Sequence, residues 1–162
     1  VSASTRPFWE TKTLAQMTPD EWESLCDGCA RCCLHTFIDD DDDDDGDVVL
    51  YSRVACRLLD TSTCRCSDYP RRASLVPECV QLSVDDLSPL DWLPSSCAYR
   101  RVHEGRPLAP WHPLVSGDPL SIHDAGVSIR HLAISARDLT PEDDPADFIL
   151  GDVTALGPHH GL

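Results

Sequence analysis

Four cysteines fall within eight residues, in the run Cys26-Asp27-Gly28-Cys29-Ala30-Arg31-Cys32-Cys33, and this crowding of thiols restricts the chain more than any other feature. Two residues between cysteines let both sulfurs reach one centre while the intervening backbone N–H groups point at them. That spacing occurs twice, at Cys26/Cys29 and at Cys29/Cys32, and Cys56, Cys64, Cys66, Cys79 and Cys97 bring the total to nine. An odd number leaves at least one cysteine out of any complete disulfide set. The opening VSASTRPFWE lacks the apolar core of an export signal, so a reducing, cytoplasmic setting is expected, and metal ligation is the better use of the thiols. All nine cysteines are therefore candidate metal ligands.

Thiolates suit zinc, copper(I) and iron–sulfur iron. A bacterial ferredoxin run would place its fourth cysteine three residues beyond the third and before a proline, whereas here Cys33 is the immediate neighbour and Thr36 and Phe37 stand at the later positions. Cys64-Arg65-Cys66 is tighter than a zinc-ribbon knuckle. Neighbouring Cys32 and Cys33 point in different directions in most backbone conformations and can serve two metals, and the count permits two four-cysteine sites with one thiol remaining. The number and crowding of the cysteines place an iron–sulfur cluster slightly ahead of a zinc or mononuclear iron centre. Arg31, Arg57, Arg65, Arg71, Arg72, Arg100 and Arg101 lie beside cysteines in sequence and are candidates to offset thiolate charge. His35, two residues after Cys33, is a weaker candidate for a Cys3His site, while His112 and His131 read as partly buried or surface histidines.

Other chemistries find less support. The net charge of -15, from 28 acidic against 13 basic residues, opposes nucleic-acid binding, which depends on Lys and Arg displacing counterions. No segment approaches the roughly 18 consecutive apolar residues of a membrane helix. Asp41, Asp43, Asp45 and Gly46 resemble the start of a calcium loop, but its twelfth position is Ser52 where a bidentate Glu is required. No phosphate loop, nucleophile elbow or His-Glu-x-x-His motif occurs, so no catalytic residue is assigned and enzymatic activity is left open.

At 162 residues the chain is expected to form one small, loop-rich α+β domain, residues 1–162, stapled by cysteine-ligated metal. Thr18-Pro19-Asp20-Glu21 reads as a capping box opening a short helix. Val48–Tyr51 reads as a strand, residues 54–59 as a strand or helical turn, Ser83–Leu87 as a short helix capped by Ser83, and Val127–His131 as a strand with one buried face. An acidic loop at 39–47 separates two cysteine groups, and an acidic tail from about residue 140 is expected to be loosely attached. No internal repeat is evident.

The order of fragments resembles the YcgN-type proteins within the wider YkgJ-like cysteine-cluster group, whose suggested property is chelation of zinc or iron and whose role is uncharacterised. The resemblance rests on Phe8-Trp9-Glu10, Cys26-Asp27-Gly28-Cys29 through Cys32-Cys33-Leu34-His35, Val54-Ala55-Cys56-Arg57, Cys64-x-Cys66, Tyr69, Arg71-Arg72 and Cys79. It continues through Trp92-Leu93-Pro94, Cys97-Ala98-Tyr99-Arg100, Trp111-His112-Pro113-Leu114 and Ser128-Ile129-Arg130. It implies a cysteine-cluster role for Cys26, Cys29, Cys32, Cys33, Cys56, Cys64, Cys66 and Cys79, with Cys97 added, and no catalytic assignment. The expected function is a metal-binding protein with an iron–sulfur, iron or zinc centre. The alternatives are a redox enzyme or electron-transfer protein, and an interaction adaptor whose metal is purely structural and whose acidic loop docks a protein partner.

Overall fold

The computed structural model describes residues 5–39 and 48–150, a span that includes all nine cysteines. Its helices are only four to six residues long: α1 (Phe8–Thr11), α2 (Pro19–Ser24), α3 (Arg72–Leu75), α4 (Ala98–His103), α5 (Pro113–Ser116) and α6 (Ser121–Asp124). Such lengths do not sustain themselves in water, so packing and caps must hold them. α2 starts where its capping box requires: the Thr18 hydroxyl accepts from Glu21 N–H at 3.2 Å, and the Glu21 carboxylate accepts from Thr18 N–H at 2.8 Å.

One sheet organises the middle of the chain. β1 (Leu34–Asp39) runs antiparallel to β2 (Val48–Ala55), with a register shift between Leu34 and Thr36. A separate two-residue hairpin pairs β3 (Leu59–Asp60) with β4 (Arg65–Cys66). β5 (Ile134–Ser135) lies parallel to β2 on its other side, placing β2 at the centre of three strands. Among the described residues no helix is long and apolar enough to cross a membrane.

Three apolar clusters form the interior. Ala30, Leu34, Tyr51, Ala55, Leu59, Cys64 and Ile129 pack against the sheet. Leu14, Leu25, Leu90, Leu93, Ala98, Tyr99 and Leu108 join the N-terminal helices to α4. Cys29, Ile122 and Val127 form the third, with Trp111 against them. Leu25, Cys29 and Ala30 belong to three different clusters, so the cysteine-rich run lies where the cores meet. Polar bonds reinforce the joints: Tyr51 donates its hydroxyl to Trp92 O at 2.8 Å, and Tyr99 donates to Trp22 O at 2.7 Å.

Several local expectations change in three dimensions. At Ser83–Leu87 the Ser83 hydroxyl does accept from Asp86 N–H, but the segment closes as a tight turn with a Ser83–Asp86 bridge, and helical turns start only at Ser88. Val127, Ser128 and Ile129 are consecutively buried rather than alternating, and His131 has φ +68°, which ends any extended run; the strand comes later, as β5. His112 is fully buried, with Nε2 2.9 Å from Leu25 O and Nδ1 accepting from Leu114 N–H at 3.0 Å. Those partners require the neutral tautomer with the proton on Nε2. Residues 145–150 are fixed to β2: Ser52 donates to Pro145 O at 2.8 Å and Leu150 N–H to Tyr51 O at 2.7 Å. The aspartates of the calcium-like loop and the chain beyond residue 150 lie outside the described residues.

Candidate metal centre

The knuckle is built by two backbone positions in the left-handed region, Gly28 at φ +78° and Ala30 at φ +59°. Glycine tolerates this region freely, whereas alanine does so at a cost. Buried Asp27 fixes the first turn, its carboxylate accepting from Cys29 N–H at 3.0 Å. The result aims backbone donors at sulfur. The N–H groups of Gly28, of Arg31, and of Tyr99 and Arg100 act on Cys26, Cys29 and Cys97 respectively in the direction that favours the thiolate. At Cys56 the Leu58 N–H points at the sulfur at 3.5 Å. In each case a donor stands two residues beyond the cysteine, an arrangement that favours a charged sulfur.

Cys26, Cys29, Cys32 and Cys97 form one electrostatic neighbourhood. Cys32 acts on each of the other three, and Cys97 acts on Cys29. Burial, reinforced by Cys32 and Asp27, pushes the Cys26 thiol up to about 11 from an ordinary value of 9.0. Burial likewise pushes Cys97 up to about 12 and raises Cys29 strongly. Cys32 is raised chiefly by its hydrogen bond with Cys33, then by burial. Cys26 and Cys32 nevertheless keep solvent-accessible surface. That accessibility is the property that would let an ion reach them.

Cys33, Cys56, Cys66 and Cys79 occupy a second region. Cys56 N–H donates to Cys33 O at 2.8 Å, Leu59 N–H donates to Cys56 O at 2.9 Å, and Leu59 pairs with Cys66 across the β3–β4 hairpin. Arg57 reaches Leu75 O at 2.6 Å, which draws α3 and the following Cys79 toward the hairpin. Cys79 is influenced by Cys56, Cys32 and Cys66, although burial is the larger cause of its raised pKa.

Cys64 stands apart. It is buried in the sheet cluster at φ +58° and is raised by burial, an effect opposed by the Ser128 hydroxyl and by the Arg130 N–H, which itself donates to Ser128 Oγ at 3.4 Å. No other cysteine is among its principal influences. His35 is exposed on β1, so nothing recommends it over the thiols.

The arginines divide by what they touch. Arg31 is completely buried behind the knuckle, with Nε donating to Val127 O at 2.7 Å, Nη1 3.5 Å from Ser96 Oγ, and Cys29 and Asp27 acting on its charge. The Arg65 guanidinium covers Gly28, where an added Cβ would meet it at 3.4 Å, and it acts on Cys26. Arg72 stacks 3.8 Å over the Tyr69 ring and acts on Cys79. Arg71 pairs with Asp68, Arg100 bonds Glu104 and Leu93 O, and Arg101 bonds Pro107 O. Asp27 and Ser96 were not evident from sequence; only the position of Asp27 between two cysteines hinted at its part.

The donors match zinc or iron in type, being soft thiols with N–H groups aimed at them. Among the described residues, however, no three His, Cys, Asp or Glu side chains are gathered tightly enough to hold an ion as they stand. The expected metal staple is therefore not shown by this arrangement.

Residues 25–98 match a family model named CxxCxxCC and described as "Putative zinc- or iron-chelating domain". A UPF0260 protein of Gluconacetobacter diazotrophicus is 56% identical over 137 residues, 85% of this chain and 83% of the relative. One from Caulobacter vibrioides is 51% identical over 148 residues, 91% of this chain and 89% of its own. One from Rhizorhabdus wittichii is 54% identical over 143 residues, 88% and 91% of the two chains. No solved structure matches.

Proposed function

The chain belongs to the UPF0260 family, and from that premise we propose that it is a metal-binding protein whose cysteine thiolates hold zinc or iron. The observation that carries this reading is the set of backbone N–H groups aimed at Cys26, Cys29, Cys56 and Cys97 from the residues that follow them. A neutral thiol is a weak acceptor and gains little from such donors, whereas a metal-bound thiolate gains much. The chelating description of the family model supports the same reading.

Bound zinc would supply a redox-inert structural or Lewis-acid centre, and bound iron or an iron–sulfur cluster an electron carrier. The chain supplies the donors, a buried Arg31 that balances charge behind the knuckle, and Asp27 that sets the turn. Closing the thiols around an ion requires their side chains to turn inward over a backbone already in place.

An iron–sulfur form is favoured within this reading. The two cysteine regions adjoin at Cys32–Cys33, and no imidazole is among the principal influences on Cys26, Cys29, Cys32, Cys79 or Cys97. Iron–sulfur clusters are commonly held by cysteine alone. Electron transfer is the role such a cluster would serve.

Metal and sulfide content, with the visible spectrum, of protein purified without oxygen and without a metal-binding tag test the proposal. Brown protein with stoichiometric iron and sulfide supports a cluster, and colourless protein with stoichiometric zinc supports a zinc centre. Metal-free, fully folded protein that takes up neither metal overturns the proposal.

A further inference from the structure

We propose that Arg65, Arg130 and His123, with Ser128 positioning the imidazole, form a binding site for a phosphate group, either the free ion or the monoester of a small molecule. The site is separate from the thiols, and it does not depend on the metal-binding reading.

Two segments distant in sequence build it. Cys64 and Ile129 are buried in the same sheet cluster, so the residues that follow them, Arg65 and Arg130, leave the core at one place and are exposed there. Each arginine adjoins a residue held in the left-handed region, Cys64 at φ +58° and His131 at φ +68°. Such backbone costs energy for residues other than glycine and gathers at functional positions. On one side, the absence of a side chain at Gly28 lets the Arg65 guanidinium approach, its Cζ lying 3.4 Å from where a Cβ would stand. On the other, Ser128 N–H donates to Ile122 O at 3.2 Å, closing the turn that carries His123. Ser128 Oγ lies 2.7 Å from His123 Nδ1 and also accepts from Arg130 N–H at 3.4 Å, which leaves Nε2 as the ring nitrogen open to a ligand.

The charges around this spot are unbalanced. Among the described residues neither guanidinium has an ion-pair or hydrogen-bond partner. Asp60 stands opposite Arg65 in the β3–β4 hairpin, yet its carboxylate accepts from Ser62 N–H at 2.9 Å, the Ser62 hydroxyl at 2.6 Å and Thr63 N–H at 3.2 Å. Burial lowers the pKa of His123, and Arg130, Arg65 and His131 press in the same direction against Asp124. In a chain of net charge -15, cations gathered without carboxylates repel one another until an anion joins them. Phosphate suits the set, because two guanidinium forks match its oxygens and an imidazole nitrogen adds a third contact.

The test titrates the reduced full-length chain with inorganic phosphate at constant ionic strength, with chloride in the control, and follows amide shifts by two-dimensional NMR. Saturable shifts centred on Gly28, Arg65, His123 and residues 128–131 are expected. Arg65→Gln and Arg130→Gln should each weaken binding by about tenfold or more, as loss of a hydrogen bond to a charged group does. Arg137→Gln, at an exposed arginine outside the group, should leave it unchanged. Glycerol 3-phosphate is the second arm: tighter binding than inorganic phosphate assigns the site to a monoester, and equal or weaker binding assigns it to the free ion. Shifts that chloride reproduces, or phosphate affinity that survives both substitutions, overturn the proposal. Should either arginine variant fail to fold by circular dichroism, His123→Gln replaces it, with the same loss expected and unchanged affinity again overturning the site.

Discussion

The knuckle at residues 26–32 and the hairpin region at 56–79 both carry cysteines, but they are held in different ways. The knuckle has completely buried Arg31 and Leu25 around it and contacts three apolar clusters. Cys56, Cys66 and Cys79 are half-buried; Cys66 lies in a two-residue strand, and Cys56 and Cys79 lie in the connections that follow β2 and α3. Apolar packing can define the first region by itself, whereas the second is buried only at Leu58, Leu59 and Cys64 and has no buried residue over 67–79. A bound ion would contribute most to folding where burial contributes least.

The strongest attempt to break this contrast is metal removal. Stripping the metal with a chelator under reducing conditions should lower hydrogen-exchange protection over residues 56–79 by about a hundredfold or more while the knuckle amides change by less than about tenfold. Equal loss in both regions, measured by mass spectrometry, would show that the knuckle also depends on its ion.

Arg31→Leu should come next in size, because it removes the donor to Val127 O and the buried charge facing Cys29 and Asp27. A loss of about 3–5 kcal/mol is expected from breaking such a network, read from urea denaturation of the metal-free chain. A loss below about 1 kcal/mol would mean that the knuckle does not depend on Arg31.

The thiols give the metal-free protein a pH dependence of definite sign. The folded-state values of Cys26, about 11, and Cys97, about 12, lie above the ordinary 9.0. Between 9.0 and those values the unfolded chain has released protons that the folded chain retains, so stability is full below pH 9.0 and declines as pH rises through that window. Ligation reverses the preference by requiring thiolate, so metal affinity should rise with pH and binding should release protons. Denaturation midpoints at about pH 8 and about pH 10.5, with and without metal, check both signs.

Gly28→Ala should cost about 1–2 kcal/mol, because it forces a Cβ into the left-handed region and against the Arg65 guanidinium. Arg57→Met is the smallest change, at most about 1 kcal/mol from one exposed bond to Leu75 O, but it should loosen Cys79 without touching the knuckle. Thermal melts give the first, and accessibility of Cys79 to a thiol reagent gives the second.

Local signals proved the most legible. The Thr18 capping box opens α2 as its residues require, and the two-residue cysteine spacing places the N–H donors at sulfur, because both depend only on neighbours along the chain. The capping signal at Ser83 misled, since its hydrogen bond forms without helical residues following to extend it. Apparent alternation at Val127–His131 misled as well, since Val127, Ser128 and Ile129 are buried together where the third cluster meets the sheet cluster.

By itself, then, the sequence determined the donor chemistry: nine thiols, a knuckle spacing that aims amides at sulfur, and a glycine at one of the bends that needs it. Which thiols become neighbours was decided only by tertiary structure. Arg31 meets Val127 across 96 positions, Cys33 meets Cys56 through the β1–β2 pairing, and Cys64 turns toward Ser128 although Cys66 stands two residues away. The reason is range: the direction of an N–H is set by the dihedral angles of adjacent residues, whereas the company a sulfur keeps depends on how distant segments bury their apolar surfaces together.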